Sequence, residues 1–380
     1  MTSRERILAA FARRPVDHVP CAPFMNFQDW NQRVGRRWQY PFGPSLPETL
    51  DYMVRELGVD QVVSFGCGTC PEAGTASRVR MDRGLIRKEW TTPSGTISAA
   101  VRFDENWPHG FDIPFFSDYN PSHCVEPWLK TRADVECLRH LLRPPGTEEE
   151  LSAIRFAHRE ARHWADTYSL ALCFSFGLGL SGALQMFGPT EACTLAASDP
   201  DILDAYLDID HRWNLAVYDI VLDLGVDIVR RNGFYESCDF YGPATLRTLL
   251  GRRLSEEIRL VHQGGAVIGY TLLTGVTPMC EHLASLDFDC IVCPDIFMKG
   301  MDGPAIAAAL GGRKSFWTGP SDTLHMPWDR PEEVRKAVRR VFEVFGKTGL
   351  ILTPCSSSKA VFPWRNVLAM VDEWKALRDQ

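Results

Sequence analysis

The chain has 380 residues, of which 45% are hydrophobic and 23% are charged, as is typical of an ordinary globular protein. Its formal net charge of −7 argues against nucleic-acid binding, because phosphate contacts need a basic surface. No apolar run is long enough to cross a membrane and no signal peptide opens the chain, so the twelve cysteines are expected as reduced thiols in the cytoplasm.

Short apolar runs alternate with helical patterns along the chain, which is typical of parallel β/α units. The helical patterns include residues 189–224 and residues 331–345, each with Pro and an acidic residue in its first turn. Eight such units predict one α/β domain over residues 1–380, a TIM-type (β/α)8 barrel, with an open doubly wound sheet as the alternative. The predicted strands span residues 19–25, 60–67, 169–177, 227–234, 266–275, 290–295, 315–322 and 350–356.

An insertion is predicted between the second and third strands, at about residues 71–165, because this gap is far longer than one connecting helix. Within it, residues 78–101 alternate in polarity around a Thr-Pro-Ser-Gly turn. That pattern predicts an antiparallel hairpin or small sheet. Residues 107–128 are rich in aromatic residues and Pro, and predict a long loop of the kind that is usually functional.

Candidate functional residues follow from the barrel itself, because active sites form where its strands end. Carboxylates at the C-terminal ends of the strands can bind a metal ion or act as general bases. One of them, Glu236, can instead cap the helix that begins near residue 243. Tyr270 lies within a strand and points either inward as a donor or outward under a helix. The strand-end residues of interest are Asn26, Asn232, Glu236, Asp295, Asp322, His325 and Cys355.

Two further features of these strand ends bear on substrate binding. Asp322 lies close to His325 in the sequence and can orient its imidazole. Trp317 and other aromatic residues near the predicted loops can wall an apolar pocket, or can equally be core residues. Asn26, Asn232, Asp322 and Trp317 are therefore the candidate substrate-binding residues.

Four segments of the chain are informative together, and these are residues 4–20, Thr92-Pro93-Ser94-Gly95, residues 126–134 and Pro363-Trp364-Arg365-Asn366. In this order they resemble four segments of the uroporphyrinogen decarboxylase superfamily. Those segments are its first helix with the entry to strand one, its hairpin insertion, its Lys-x-x-x-Asp segment and its C-terminal signature. The chain is most similar to the cobalamin-dependent methyltransferase branch, which implies a barrel that moves methyl groups to or from a corrinoid protein.

The resemblance also implies a zinc site, from which this chain departs. That branch carries a His-x-Cys pair on strand five and a Cys on strand eight, whose zinc activates a thiol. Here the first two positions fall on Leu272 and Thr274, and Cys355 falls within one residue of the third. Glu236 and His325 are the best substitute ligands beside Cys355, because both follow strands at the same face of the barrel.

Uroporphyrinogen decarboxylation itself is not expected, because the loop after strand one has no arginine before Arg33 and strand two ends without an Asp. The predicted reaction is methyl transfer between a small methylated compound, such as an O-methyl aromatic, and the cobalamin of a partner protein. Glu236, Asp295, Tyr270 and His325 are the predicted catalytic residues. A homodimer is compatible with this prediction.

Two alternatives remain open on the sequence. The first is a metal-free decarboxylase or lyase of a small carboxylated substrate, with Arg230 or Arg231 binding the carboxylate. The second is a protein without catalytic activity that binds a corrinoid or another tetrapyrrole.

Overall fold

The computed structural model describes residues 1–24, 46–355 and 362–378. Its strands form one parallel sheet with the order β1-β6-β7-β8-β9-β10-β11 and one antiparallel sheet with the order β2-β3-β4-β5. In chain order the strands are Val62–Phe65 (β1), Ala76–Asp82 (β2), Leu85–Thr92 (β3), Gly95–Arg102 (β4), Cys124–Glu126 (β5), Ala171–Phe176 (β6), Ile228–Asn232 (β7), Val267–Thr271 (β8), Cys290–Val292 (β9), Ser315–Thr318 (β10) and Leu350–Leu352 (β11).

The parallel sheet curls into the predicted TIM-type barrel, and the segment before β1 takes the eighth place. Cys21 forms a single parallel bridge with Leu352 of β11. On its other side the Cys21 N–H donates to Asp60 Oδ2 at 3.1 Å. The first predicted strand is thus a single bridge, because Pro20 and Pro23 lack the N–H groups that a continuous ladder needs.

Helices cover the outside of the parallel sheet, and none in the described ranges is long and apolar enough to cross a membrane. Single π-helical and 3₁₀ turns occupy Asp51–Glu56 and Thr277–Met279. In chain order the α-helices are Ser3–Phe11 (α1), Leu46–Leu50 (α2), Asn120–His123 (α3), Arg132–Leu138 (α4), Glu148–Tyr168 (α5), Gly179–Met186 (α6), Pro189–Ser198 (α7), Pro200–Leu224 (α8), Pro243–Gln263 (α9), Cys280–Ser285 (α10), Gly303–Leu310 (α11), Pro331–Phe345 (α12) and Trp364–Leu377 (α13).

The helix predicted over residues 189–224 is two helices, α7 and α8. The break falls at Asp199, whose φ of −151° and ψ of 69° are not helical. Pro200 follows it, and the ring of a proline disfavours the helical conformation of the residue before it. The helix predicted over residues 331–345 agrees with α12.

The insertion between β1 and β6 contains the antiparallel sheet, so the predicted hairpin is part of a four-stranded structure. Arg83 and Gly84 connect β2 to β3 with φ values of 49° and 78°, the left-handed pair that a tight two-residue hairpin requires. The Thr-Pro-Ser-Gly turn connects β3 to β4, with the Thr92 hydroxyl donating to the carbonyl of Gly95 at 3.0 Å. Helix α5 then packs along β1 and β6.

Alternate residues of the parallel strands separate the core into two layers. Ile228 and Ile351 belong to the cluster inside the barrel, which α1 closes at the bottom with Ile7 and Phe11. Val229 and other strand residues of opposite parity pack outward against the helices. We call the inside of the barrel the lumen, and its end at the C-terminal ends of the strands the mouth. The direction of a strand side chain therefore decides whether it can meet a substrate.

Candidate active site

A polar cluster lies in the lumen on β6 and β7. Arg230 is level with Ser175 in the sheet, and its Nε and Nη2 donate to the Ser175 hydroxyl at 3.2 and 3.0 Å. Asn232 Nδ2 donates to the same oxygen at 3.1 Å. These three side chains are only half-buried, and Ser64 of β1 is exposed. Asn232, a predicted substrate-binding residue, therefore lies in a lumen that solvent reaches.

An aromatic ring lies against this cluster. The Phe24 ring centroid is 4.6 Å from Arg230 Cζ and 4.5 Å from the ring centroid of Trp317. Trp317, predicted to bind substrate, is 1% exposed, and its Nε1 donates to the carbonyl of Ala22 at 3.1 Å. Phe24, which is half-buried, is therefore the aromatic surface that the lumen presents, and Trp317 supports it from behind.

Asp295 and His325 lie at the mouth and are connected through Ser321. The Ser321 hydroxyl donates to Asp295 Oδ2 at 2.6 Å, and the Ser321 N–H donates to His325 Nδ1 at 3.2 Å. Burial raises the pKa of Asp295 and lowers that of His325. The neutral imidazole accepts at Nδ1 and so carries its proton on Nε2. The two predicted catalytic residues are thus brought together at the mouth.

Asp322 and Cys355 lie in the same part of the mouth. Burial raises the pKa of Asp322 to about 6, although the side chain stays partly accessible. Cys355 Sγ lies 3.6 Å from Thr318 Oγ1 and is 2% exposed. Burial raises the pKa of this thiol, and the nearby Asp295 raises it further. Cys355 is therefore a protonated thiol rather than a ready thiolate.

Asn366 of α13 holds the loop that carries His325. Its Nδ2 donates to the carbonyls of Met326 and Trp328 at 2.9 and 2.7 Å, and to that of His325 at 3.4 Å. The side chain is fully buried. The Asn of the C-terminal Pro-Trp-Arg-Asn sequence thus fixes the mouth loop without reaching the lumen itself.

Glu236 and Tyr270 lie outside the lumen, in the layer between the sheet and the helices. The side chain of Tyr270 is at a position of β8 that points away from the lumen, and it is 3% exposed. Its hydroxyl donates to Glu236 Oε2 at 2.5 Å. Glu236 has no exposed surface, forms an ion pair with Arg231, and accepts the Leu180 N–H at 2.7 Å. A Cβ at Gly179 would collide with both members of this pair, so the first residue of α6 can approach them only as glycine.

This buried network continues into α8 and α9. Arg231 Nε donates to Glu257 Oε2 at 3.4 Å, and Glu257 Oε1 lies 3.0 Å from His211 Nδ1. Asp210 Oδ2 accepts the Gly179 N–H at 3.1 Å and Asn214 Nδ2 at 3.0 Å. Burial raises the pKa of Asp210 to about 6 and that of Glu236 to about 7. The network ties α8 and α9 to the start of α6.

Replacing Asp210 with Asn is expected to change how stability depends on pH. The folded-state pKa of about 6 lies above the ordinary value of 3.8, so the stabilisation is complete below pH 3.8 and is lost as the pH rises through 6. Relative to the variant, the wild type should lose up to about 3 kcal/mol from pH 4 to 7, at about 1.4 kcal/mol for each unit. Urea unfolding from pH 4 to 7 measures this loss, with Asp219→Asn on the exposed face of α8 as control. If the stability difference between the wild type and Asp210→Asn did not depend on pH, the raised pKa of Asp210 would be contradicted.

The three predicted metal ligands are not brought together. Glu236 lies in the buried network, whereas His325 and Cys355 lie at the mouth. Across residues 1–24, 46–355 and 362–378, no three His, Cys, Asp or Glu side chains are grouped so that they could hold one metal ion. Asn26, a predicted substrate-binding residue, lies outside the described residues.

The first position at which the resemblance places a zinc ligand, Leu272, does not face the lumen. Leu272 is fully buried in the outward layer, whereas Leu273 packs with the cluster inside the barrel. The lumen-facing residues at the end of β8 and just after it are thus Thr271 and Leu273, and neither side chain is a zinc ligand. Neither this pair nor Leu272 with Thr274 can supply the two zinc ligands.

Sequence reasoning missed Phe24, Ser175 and Ser321, and it weighed Arg230 only for the alternative function. The alternation of side chains along each strand could have identified two of them. Ser175 and Arg230 are at inward-pointing positions, like the small or apolar residues that fill the barrel, and they lie level with each other in the sheet. Phe24 lies within the first predicted strand, residues 19–25, whereas the prediction selected Asn26 just after that strand.

No protein-family model and no curated protein sequence matches this chain. Among solved structures, the chain is similar to a methyltransferase from Methanosarcina mazei, with a TM-score of 0.63 and 16% identity over 99% of each chain. At this identity the likeness establishes a shared fold along the full length of both chains.

The chain is also similar to other barrel enzymes, over a smaller part of its length. A 3-keto-D-glucoside 4-epimerase from E. coli matches with a TM-score of 0.38 and 8% identity, over 58% of this chain and 86% of its own. A B12-independent methionine synthase from Shewanella matches with a TM-score of 0.35 and 10% identity, over 58% of this chain and 64% of its own.

Proposed function

We propose that the protein is a methyltransferase that moves a methyl group from a small methylated compound, such as an O-methyl aromatic, to the cobalamin of a partner corrinoid protein. The observation that carries the proposal is the fold shared with the Methanosarcina mazei methyltransferase over 99% of each chain. The open lumen, with an aromatic surface and acidic groups at its mouth, supports a small organic substrate.

The residues at the mouth suit the removal of a methyl group from oxygen. When the methyl carbon–oxygen bond breaks, the oxygen keeps the electron pair and needs a proton. Asp322 is the best donor, because it is partly accessible and its pKa of about 6 keeps a fraction of it protonated near neutral pH. The reduced cobalamin of the partner would be the nucleophile and would supply the electron pair for the new bond to the methyl carbon.

Asp295 and His325 have supporting roles in this proposal. The nearby Asp295 helps to raise the pKa of Asp322, since two carboxylates at one site resist being charged together. His325 offers its Nε2 proton as a hydrogen-bond donor. The proposal assigns no step to zinc, because the donors in the described segments do not converge on one ion and Cys355 is a buried, protonated thiol.

A second candidate function has its own support in Arg230. A guanidinium without a carboxylate partner in the described parts of the chain suits a metal-free decarboxylase or lyase that grips a carboxylated substrate. Arg231, the other arginine considered for this role, is occupied by Glu236 and Glu257.

The two functions are separated by their products. The purified protein, mixed with chemically reduced cobalamin and 4-methoxybenzoate, is expected to form 4-hydroxybenzoate, which mass spectrometry detects, only when cobalamin is present. Free cobalamin stands in for the partner protein, and a reaction without the protein gives the background. Methoxybenzene formed together with carbon dioxide, with or without cobalamin, would instead support the decarboxylase.

A further inference from the structure

We infer that the lumen is built for a substrate that carries one carboxylate, with Arg230 as the group that binds it. The inference rests on the proposed function in taking the lumen as the substrate site, and it adds the charge of the substrate and the residue that recognises it.

Arg230 has unused capacity to bind an anion. Its Nε and Nη2 both donate to the Ser175 hydroxyl, which leaves the Nη1 hydrogens and one on Nη2 without a protein acceptor within the described segments. A guanidinium has five N–H donors in a planar fork that matches a carboxylate. No carboxylate in those segments lies within ion-pair distance of it, in contrast to Arg231, which contacts both Glu236 and Glu257.

The surroundings hold Arg230 in place. Ser175 anchors one edge of the guanidinium, and the Phe24 ring lies 4.6 Å from its Cζ. Phe24 is fixed in turn by its N–H, which donates to Thr353 Oγ1 at 2.8 Å. A cation held beside an aromatic face loses less freedom when a ligand binds, and so binds it more strongly.

The charge of the lumen favours a single negative charge on the ligand. The lumen-facing positions of the parallel strands carry small, hydroxyl, amide or apolar side chains, and Arg230 is the one cation at these positions of the described strands. A phosphate ester carries close to two negative charges near neutral pH and would leave one unpaired. A carboxylate matches the site, and Phe24 offers a surface for an aromatic ring beside it.

Binding measured by calorimetry tests the inference on the intact protein. The wild type is expected to bind 4-methoxybenzoate more tightly than methoxybenzene. Arg230→Met should weaken the binding of 4-methoxybenzoate on the order of 10- to 100-fold, as for a lost charged hydrogen bond. The affinity for methoxybenzene should change by less than about twofold, since it makes no such bond. Arg230→Lys keeps the charge but lacks the planar guanidinium, so its affinity for 4-methoxybenzoate should lie between those of the wild type and Arg230→Met.

The controls separate binding from folding and from the reaction. Arg252→Met removes an exposed arginine of α9 and should leave binding unchanged, and thermal unfolding verifies that each variant is folded. Equal affinity of wild type and Arg230→Met for 4-methoxybenzoate would overturn the inference, as would tighter binding of phenyl phosphate than of 4-methoxybenzoate. Binding that depends on Arg230 without methyl transfer would uphold the inference and reject the proposed function alone.

Discussion

Replacing Asp322 with Asn is expected to lower the rate of methyl transfer to cobalamin by about 10²- to 10⁴-fold, the usual contribution of a general acid. Burial raises the pKa of Asp322 to about 6, so the carboxyl group can deliver a proton to the leaving oxygen. The amide of Asn has nearly the same shape and offers no such proton. The initial rate of 4-hydroxybenzoate formation, measured at saturating substrate from pH 5 to 8, tests the role.

The pH profile distinguishes proton donation from simple positioning. The wild-type rate should fall as the pH rises above about 6, because the acid form of Asp322 is lost, whereas the residual rate of the variant should lack this step. Glu281→Gln, at an exposed acid of α10, is the control and should keep the wild-type rate. An Asp322→Asn rate within about threefold of the wild type would assign the proton to another donor.

Replacing Arg231 with Met is expected to destabilise the fold by about 3–5 kcal/mol, the range for breaking a buried ion pair by removing one partner. Arg231 is 2% exposed and lies between Glu236 and Glu257, which are themselves buried. Without the guanidinium these carboxylates remain in a poorly solvated layer and must be protonated or repel each other. The free energy of unfolding in urea, followed by circular dichroism, measures the loss.

A double variant tests whether the cost comes from the stranded charge. Arg231→Met combined with Glu236→Gln should recover part of the stability, because one uncompensated carboxylate is removed with its partner. Arg212→Met on α8, an exposed site next to His211, serves as the control and should change stability by less than about 0.5 kcal/mol. If Arg231→Met costs no more than this control, the network does not stabilise the fold.

The barrel could be predicted because its evidence is local and repeated. Buried parallel strands read as apolar runs, and each is followed by an amphipathic helix, so that seven predicted strands overlap observed ones. The exceptions are caused by single prolines, which the pattern of apolar residues does not take into account. Pro20 and Pro23 reduce the first strand to one bridge, and Pro200 divides a continuous helical pattern.

The site was harder to predict because it depends on strand parity and on long-range contacts. The sequence left the direction of Tyr270 open, and only the register shows that it points outward to Glu236. Glu236 follows a strand, as a mouth residue should, but Arg231 and the Leu180 N–H hold it in the helix layer. Asp295 and His325 could be placed together, since strand ends meet at the mouth, whereas their connection through Ser321 could not.

A crystal structure of the protein with 4-methoxybenzoate tests most directly the claim that the lumen is the substrate site. The carboxylate is expected within hydrogen-bond distance of Arg230, with the ring against Phe24 and the methoxy group toward Asp322. A ligand bound outside the lumen, or bound inside it with the carboxylate away from Arg230, would contradict this claim.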